Sequence, residues 1–321
     1  MNEVMSIGSP LLWAGFITFV LIMLALDLFV FGAGKAHKVS IKEAASWSLV
    51  WFALAIAFNA ALWWHLTGTV GSEIADRKAL EFFTGYLIEK SLSVDNVFVF
   101  LLIFSAFHVP AEYQRRVLIY GVLGAIGMRI VMILLGSWVV QEFKWVLYVF
   151  GAFLLFTGIK MLMPSDANPD LSKNWLVKIA RKYLRVTDQL HGERFSIRHN
   201  GVRYFTPLFL VLILIEASDL VFAVDSIPAI FAITTDPFIV ATSNIFAIMG
   251  LRALYFLLAD IAERFHLLKY GLAIVLAFIG TKMLLMPWLH VPVTLSLAVV
   301  ISVIGLSIVA SLWATRKPAA N

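Results

Sequence analysis

The chain has 321 residues, 61% of them hydrophobic and 14% charged, with a mean hydropathy of +0.90; soluble domains are nearer a quarter charged, so this is a polytopic membrane protein. It contains no cysteine, which excludes disulfides, thiolate metal sites, iron–sulfur clusters and cysteine nucleophiles together. The net charge of +5 does not point to nucleic acid, because the basic residues cluster between apolar runs, where membrane topology accounts for them.

The first ten residues, MNEVMSIGSP, put no basic segment ahead of the first apolar run, so a cleaved signal peptide is not expected. A bilayer crossing needs about 20 apolar residues. Runs of that kind lie at 11–31, 45–66, 81–107, 117–140, 145–163, 206–233, 238–259, 268–287 and 291–313. They predict an all-α polytopic protein with nine transmembrane helices. Lys35, Lys38 and Lys42 follow the first helix, Arg115 and Arg116 the third, Arg264 and Lys269 the seventh, and Arg316 and Lys317 the last. The connection 164–203 is also rich in Lys and Arg. The alternate loops QEFK, TTDP and PWLHVP are short and nearly free of basic residues, while GSEIADRK is mixed in sign. The positive-inside rule then places the N-terminus outside and the C-terminus in the cytoplasm, as an odd number of helices requires.

The chain thus divides into a two-helix segment (1–80), helices 3–5 (81–163), a cytoplasmic loop (164–203), helices 6–8 (204–287) and a final helix with its tail (288–321). In the loop, KNWLVKIARKYLR places Trp175, Leu176, Ile179 and Tyr183 on one helical face and cations on the other. That pattern suits an interfacial helix on anionic lipid. Further on, Asn200-Gly201 between β-prone arms in FSIRHNGVRYF predicts a small hairpin.

Helices 3–5 and 6–8 carry matching motifs. DNVFV at Asp95 recurs as DLVFA at Asp219, GMR at Arg129 as GLR at Arg252, and GIKML at Lys160 as GTKML at Lys282, at offsets of 124, 123 and 122. An odd number of helices per copy makes this a 3+3 inverted repeat, the layout of carriers that bind their cargo at the midplane between repeats.

The repeats also hold the intramembrane charges: Glu89, Lys90 and Asp95 in the first, Glu216, Asp219 and Asp225 in the second, with Arg129 and Arg252 further along each. An acid at the bilayer centre costs roughly 2.5–3.5 kcal/mol on the translocon scale, so five acids need solvation that lipid cannot supply. Glu216 and Asp219, three residues apart, share a helix face. Pro228 is expected to break the helix and bare the Val224 carbonyl beside Asp225. Asn96 and Ser226 add neutral oxygen, and Asn244 is a further intramembrane amide that serves either as a ligand or as interhelical glue. Carboxylates, amides and hydroxyls are hard ligands, suited to Mn²⁺, Mg²⁺ or Ca²⁺. Acids so close together share protons when no metal is present, so entry of a dication would release them, a basis for proton-coupled export. Arg129, Arg252 and Lys90 would supply compensating charge. The alternative is that Asp95 with Arg252 and Asp219 with Arg129 form structural bridges only.

At GYLIEKSLSVDNVFVF and LIEASDLVFAVDSIPAIFAITTDPFIVATSNIFAIMGLRALYFLL the chain resembles the TerC family, named for tellurium resistance, over roughly residues 10–315. The resemblance implies a LysE-like transporter core, a bacterial inner-membrane location and export of Mn²⁺. It matches the family motifs at Glu89, Asp95, Glu216, Asp219 and Asp225. A transporter with Mn²⁺ as cargo and no permanently bound cofactor is therefore expected. An intramembrane protease would need a G-x-G-D motif, which is absent from the sequence, so no enzyme is expected. The other reading is a metal-delivery or scaffold protein that supports secreted or membrane partners. Expected partners are a divalent cation, the bilayer, and further copies of the chain or other membrane proteins.

Overall fold

The computed structural model describes residues 6–32, 39–143, 145–163, 179, 182–199, 201–259, 267–289 and 291–315. Long uninterrupted runs of Leu, Ile, Val, Phe and Ala give it ten helices among these residues: α1 Pro10–Gly32, α2 Ile41–Thr69, α3 Ser72–Ala106, α4 Ala111–Glu142, α5 Val146–Leu162, α6 Pro207–Phe231, α7 Pro237–Met249, α8 Leu251–Ala259, α9 Leu268–Leu285 and α10 Val293–Thr315. Two strands, β1 Ser196–His199 and β2 Val202–Phe205, lie between α5 and α6. Among the described residues six helical stretches are long and apolar enough to cross a membrane: Ile41–Thr69, Ala111–Glu142, Pro207–Phe231, Pro237–Ala259, Leu268–Leu285 and Thr294–Ala314. Pro10–Leu26 and α5 are shorter apolar helices. The 35-residue α3 is long enough but carries Lys78, Glu81, Glu89 and Lys90 among its apolar residues.

Two boundaries differ from those expected on sequence. GSEIADRK is not a loop: α3 begins at Ser72, and only Val70 and Gly71 (φ +96°) separate it from α2. Its charges are tied locally, with the Trp63 indole donating to Asp76 Oδ1 at 2.6 Å and Lys78 pairing with Glu81 one turn on at 2.9 Å. Likewise α6 runs through Pro228 to Phe231. Proline there falls in the last turn, where little helix remains to be disrupted. The interruption comes instead at Gly250, which divides α7 from α8.

The α7–α8 span is 94% buried, against 17% for the apolar windows of α2 and of α10. It is the central element, flanked by α2, α3 and α4. Aromatic rings fill the space between α7 and α1, α2 and α3, with Phe58 centred 4.8 Å from Phe246 and 5.2 Å from Phe82. On the other side α5 packs along α9 at backbone distance. A Cβ on Gly280 would meet the Leu155 nitrogen at 2.5 Å and the Gly151 carbonyl at 2.6 Å; one on Gly158 would meet the Ala273 carbonyl at 2.7 Å. With no hydrophobic drive between helices in lipid, such small-residue seams supply dispersion contact directly.

β1 and β2 pair antiparallel, Ile197 opposite Tyr204 and His199 opposite Val202, through a turn in which Gly201 has φ +76°. This is the hairpin that Asn200-Gly201 predicts. It is held to α4 by Phe195, edge-on to Tyr120 at 5.2 Å, and by the Arg116–Glu193 pair at 3.6 Å. Most of the predicted interfacial helix, including Trp175 and Leu176, lies outside the described residues.

The seam predicts that Gly280→Val or Gly158→Val lowers the melting temperature of the detergent-purified protein, with a loss of about 1–3 kcal/mol typical of overpacking. Gly127→Val, where a Cβ meets nothing within 4 Å, leaves it nearly unchanged.

Candidate functional site

The site is built around one arginine. Arg129 lies midway along α4 and is 1% exposed, so its guanidinium needs partners from the protein itself. Helices α3, α6 and α7 supply them. Arg129 Nη1 pairs with the Glu89 carboxylate on α3 and donates to Ser226 Oγ on α6 and Asn244 Oδ1 on α7, each at 3.1 Å. Nε and Nη2 clasp the two oxygens of Asp219 at 3.3 and 3.2 Å, the bidentate geometry for which a planar guanidinium is suited. Asn244 Nδ2 donates back to Glu89 Oε2 at 3.2 Å, and Asn96 Nδ2 to Asp219 Oδ1 at 3.3 Å. Glu89, Asn96, Asp219, Ser226 and Asn244 are all buried. Asp219 is the central residue of α6, so the network lies at mid-helix depth. Two carboxylates against one guanidinium leave a formal charge of −1.

The network borders a cavity lined by Glu89, Asn96, Arg129 and Ser226 with Leu92 and Phe222. About 40 Å³ of it is open to the centre of a water-sized sphere, where one water needs roughly 10–15 Å³. Asn96 Oδ1 is buried with no hydrogen-bond partner among the described residues. A bare carbonyl oxygen beside two carboxylates is an acceptor lacking a donor or a cation.

The other residues singled out from sequence are placed as follows. Glu216 is half-buried on α6 and faces Gly124 of α4, where any side chain would collide with its carboxylate. The side chains of Asp95 and Asp225 lie outside the described residues, as does that of Asp27. Arg252 on α8 borders a small cavity with Arg115, Trp47 and Trp51. Lys90 donates to the Ala247 carbonyl at 3.3 Å, in the last turn of α7, where carbonyls lose their helical donors. Among the described residues no three His, Asp or Glu side chains form a metal cluster; two acids, Glu89 and Asp219, converge with amide and hydroxyl groups.

Sequence reasoning missed a second buried ionic cluster, at the start of α3. Lys78 pairs with Glu81 at 2.9 Å and with Asp236 at 3.3 Å. Thr234 donates to Glu81, and Ser6 and the Ile7 amide donate to Asp236. The available signal was Lys78 and Glu81 at helical spacing directly before a long apolar run.

The profile of the "Integral membrane protein TerC family" matches residues 74–319. The chain belongs to the TerC family. The matched region takes in every residue of the Arg129 network. The chain is 57% identical over 312 residues to the "Putative membrane-bound redox modulator Alx" of Escherichia coli strain K12, covering 97% of each. It is 52% identical over 314 residues to the protein of the same name in Photorhabdus laumondii, 98% of each, and 50% identical over 311 residues to "Uncharacterized membrane protein STKORF319" of Myxococcus xanthus, 97% of this chain and 95% of that one. No solved structure matches it.

Removing one partner of a buried charge pair typically costs about 3–5 kcal/mol. Arg129→Ala therefore lowers the melting temperature of this TerC protein markedly. Adding Glu89→Gln and Asp219→Asn to that variant restores most of the loss, since no buried charge is then left unpaired. Differential scanning fluorimetry of the two variants checks it.

Proposed function

We propose that the chain is a secondary transporter that expels divalent manganese from the cytoplasm through its intramembrane carboxylates. The observation that carries this reading is the mid-helix network of Glu89, Asp219 and Arg129, with the bare Asn96 oxygen beside its cavity. A structural bridge alone would have no use for an unsatisfied acceptor, an adjoining cavity and an excess negative charge. Oxygen ligands throughout favour a hard dication. Asp95, Asp225 and Glu216 would complete the ligand set, and Arg129 stands in for the cation when the carrier is empty. Protons released as the dication binds would couple export to the proton gradient.

Alternation between two faces needs two related halves. The matching motifs align Gly158 with Gly280 and Gly151 with Ala273. The seam contacts are Gly151 with Gly280 and Gly158 with Ala273, each the counterpart of the other under exchange of the copies. That reciprocity supports a pseudo-two-fold relating α3–α5 to α6–α9, with Asp95 the counterpart of Asp219 and Arg252 of Arg129. The Lys and Arg distribution supports an outside N-terminus and a cytoplasmic C-terminus, in an inner membrane. The relatives' name speaks of redox modulation. This chain has no cysteine, so thiol exchange on the chain itself is not its route; control of manganese inside the cell is a route that needs none.

The test is flux in liposomes that hold the purified protein and no partner. Mn²⁺ should cross with the parent protein, ahead of Mg²⁺ and Ca²⁺ in a metal panel, and fail to cross with Asp219→Asn or Asp95→Asn although both accumulate and insert. Normal flux through both variants would remove the site; no flux with the parent would leave the scaffold reading.

A further inference from the structure

Two separate cavities lie in succession toward the network. Where α3 ends, α4 begins and α8 ends, the structure holds a vestibule of about 450 Å³ bordered by Phe104, Ser105, His108, Gln114 and Tyr255. This is the end that carries Arg115 and Arg116, the cytoplasmic end under the proposed topology. A second, smaller cavity is bordered by Phe100, Leu118, Leu251 and Asp219. On each of three helices its wall lies four residues deeper than the vestibule's. Phe100 is one turn below Phe104 on α3, Leu118 one turn below Gln114 on α4, and Leu251 one turn below Tyr255 on α8. One helical turn is about 5.4 Å. A layer of side chains at the vestibule wall, one turn above Phe100, Leu118 and Leu251, therefore stands between the vestibule and the cavity that Asp219 lines, and Asp219 in turn is held by Arg129.

The layer consists of Phe104, Gln114 and Tyr255. Tyr255 is fully buried, donates to Gln114 Oε1 at 2.7 Å and stands edge-on to Phe104 with ring centres 5.5 Å apart. Gln114 Nε2 donates to the Val109 carbonyl at 3.0 Å. The Tyr255–Gln114 contact is a hydrogen bond between neutral groups, the class that parts more readily than a charge-assisted one. At the far end of α3 the contacts are ionic, through Lys78, Glu81 and Asp236, a class harder to part. The two ends of α3 are thus held by different chemistry, and the neutral contact lies beside the vestibule.

We propose that Tyr255, Gln114 and Phe104 form the gate between the vestibule and Asp219, so that a divalent cation reaches the Arg129 network from the basic-loop end by parting the Tyr255–Gln114 hydrogen bond. The cation's identity rests on the proposed transport function; the gate itself is tested without any metal. The chain has no native cysteine, so single cysteines report water access cleanly. Ser105→Cys, in the vestibule, and Leu118→Cys, below the layer, are treated with a charged, water-soluble thiol reagent in detergent. Ser105→Cys should react at least about tenfold faster than Leu118→Cys. Adding Tyr255→Ala should bring Leu118→Cys to the vestibule rate, and the gentler Gln114→Leu, which keeps the packing, should raise its rate severalfold. Equal rates at the two positions in the parent, or a Leu118→Cys rate unmoved by both gate variants, would overturn the gate. If the labelling follows the gate but Mn²⁺ alone crosses no liposome, the gate stands and the manganese reading falls.

Discussion

A guanidinium buried at the middle of an apolar bundle cannot lose its charge and is cut off from bulk water, so the helices around Arg129 must answer it. Glu89 does so from α3, Asp219 and Ser226 from α6, and Asn244 from α7. Removing both acids leaves the arginine's charge unanswered, and removing the arginine leaves two acids with no counter-charge. These residues therefore fix the mutual register of four helices as well as the electrostatics of the cavity beside them. The same demand explains why the α7–α8 span is almost wholly buried: it brings Asn244 to the arginine, and its break at Gly250 is met by Lys90.

Around this centre the remaining helices follow lipid rules. The α5–α9 seam closes through glycines where backbones touch, and the α1–α2–α3–α7 corner closes through stacked and edge-on phenylalanines. The charge pairs seen among the described residues include the centre, the start of α3, where Lys78 reaches Asp236 at the head of α7, and the docked hairpin. Apolar seams of this kind keep the backbone away from lipid while its polar groups are satisfied within the helices.

The helices were largely legible because apolar length is a strong signal; the hairpin was legible because Asn-Gly restricts its turn. Residue types gave Glu89, Asp219 and Arg129 as members of one constellation, since each is costly in lipid and so demands partners. Sequence offered the pairing of Asp219 with Arg129 as one alternative, and the structure shows it, but it did not join Glu89 to the same arginine. By spacing Arg252 and Arg129 are equals, yet Arg129 is the one seen to clasp Asp219 and Glu89, and Arg252 borders the α2 side with Arg115. Nor could it separate a mixed-charge loop from a helix start at residues 71–78, because local pairs such as Lys78–Glu81 neutralise charge only once the helix exists. Pro228 misled because the cost of a proline depends on where in the helix it stands. In an interior it would break the run, but here it occupies the final turn before Phe231.

The central claim is that Arg129 and the transported cation compete for the same two carboxylates. Titration of Mn²⁺ into the detergent-purified Arg129→Met variant, by calorimetry beside the parent protein, tests it most directly, because methionine keeps the bulk and removes the charge. The account predicts Mn²⁺ affinity raised at least about tenfold, roughly 1.4 kcal/mol, since Glu89 and Asp219 are then free to face the metal. Affinity that is unchanged or lower in that variant would contradict it.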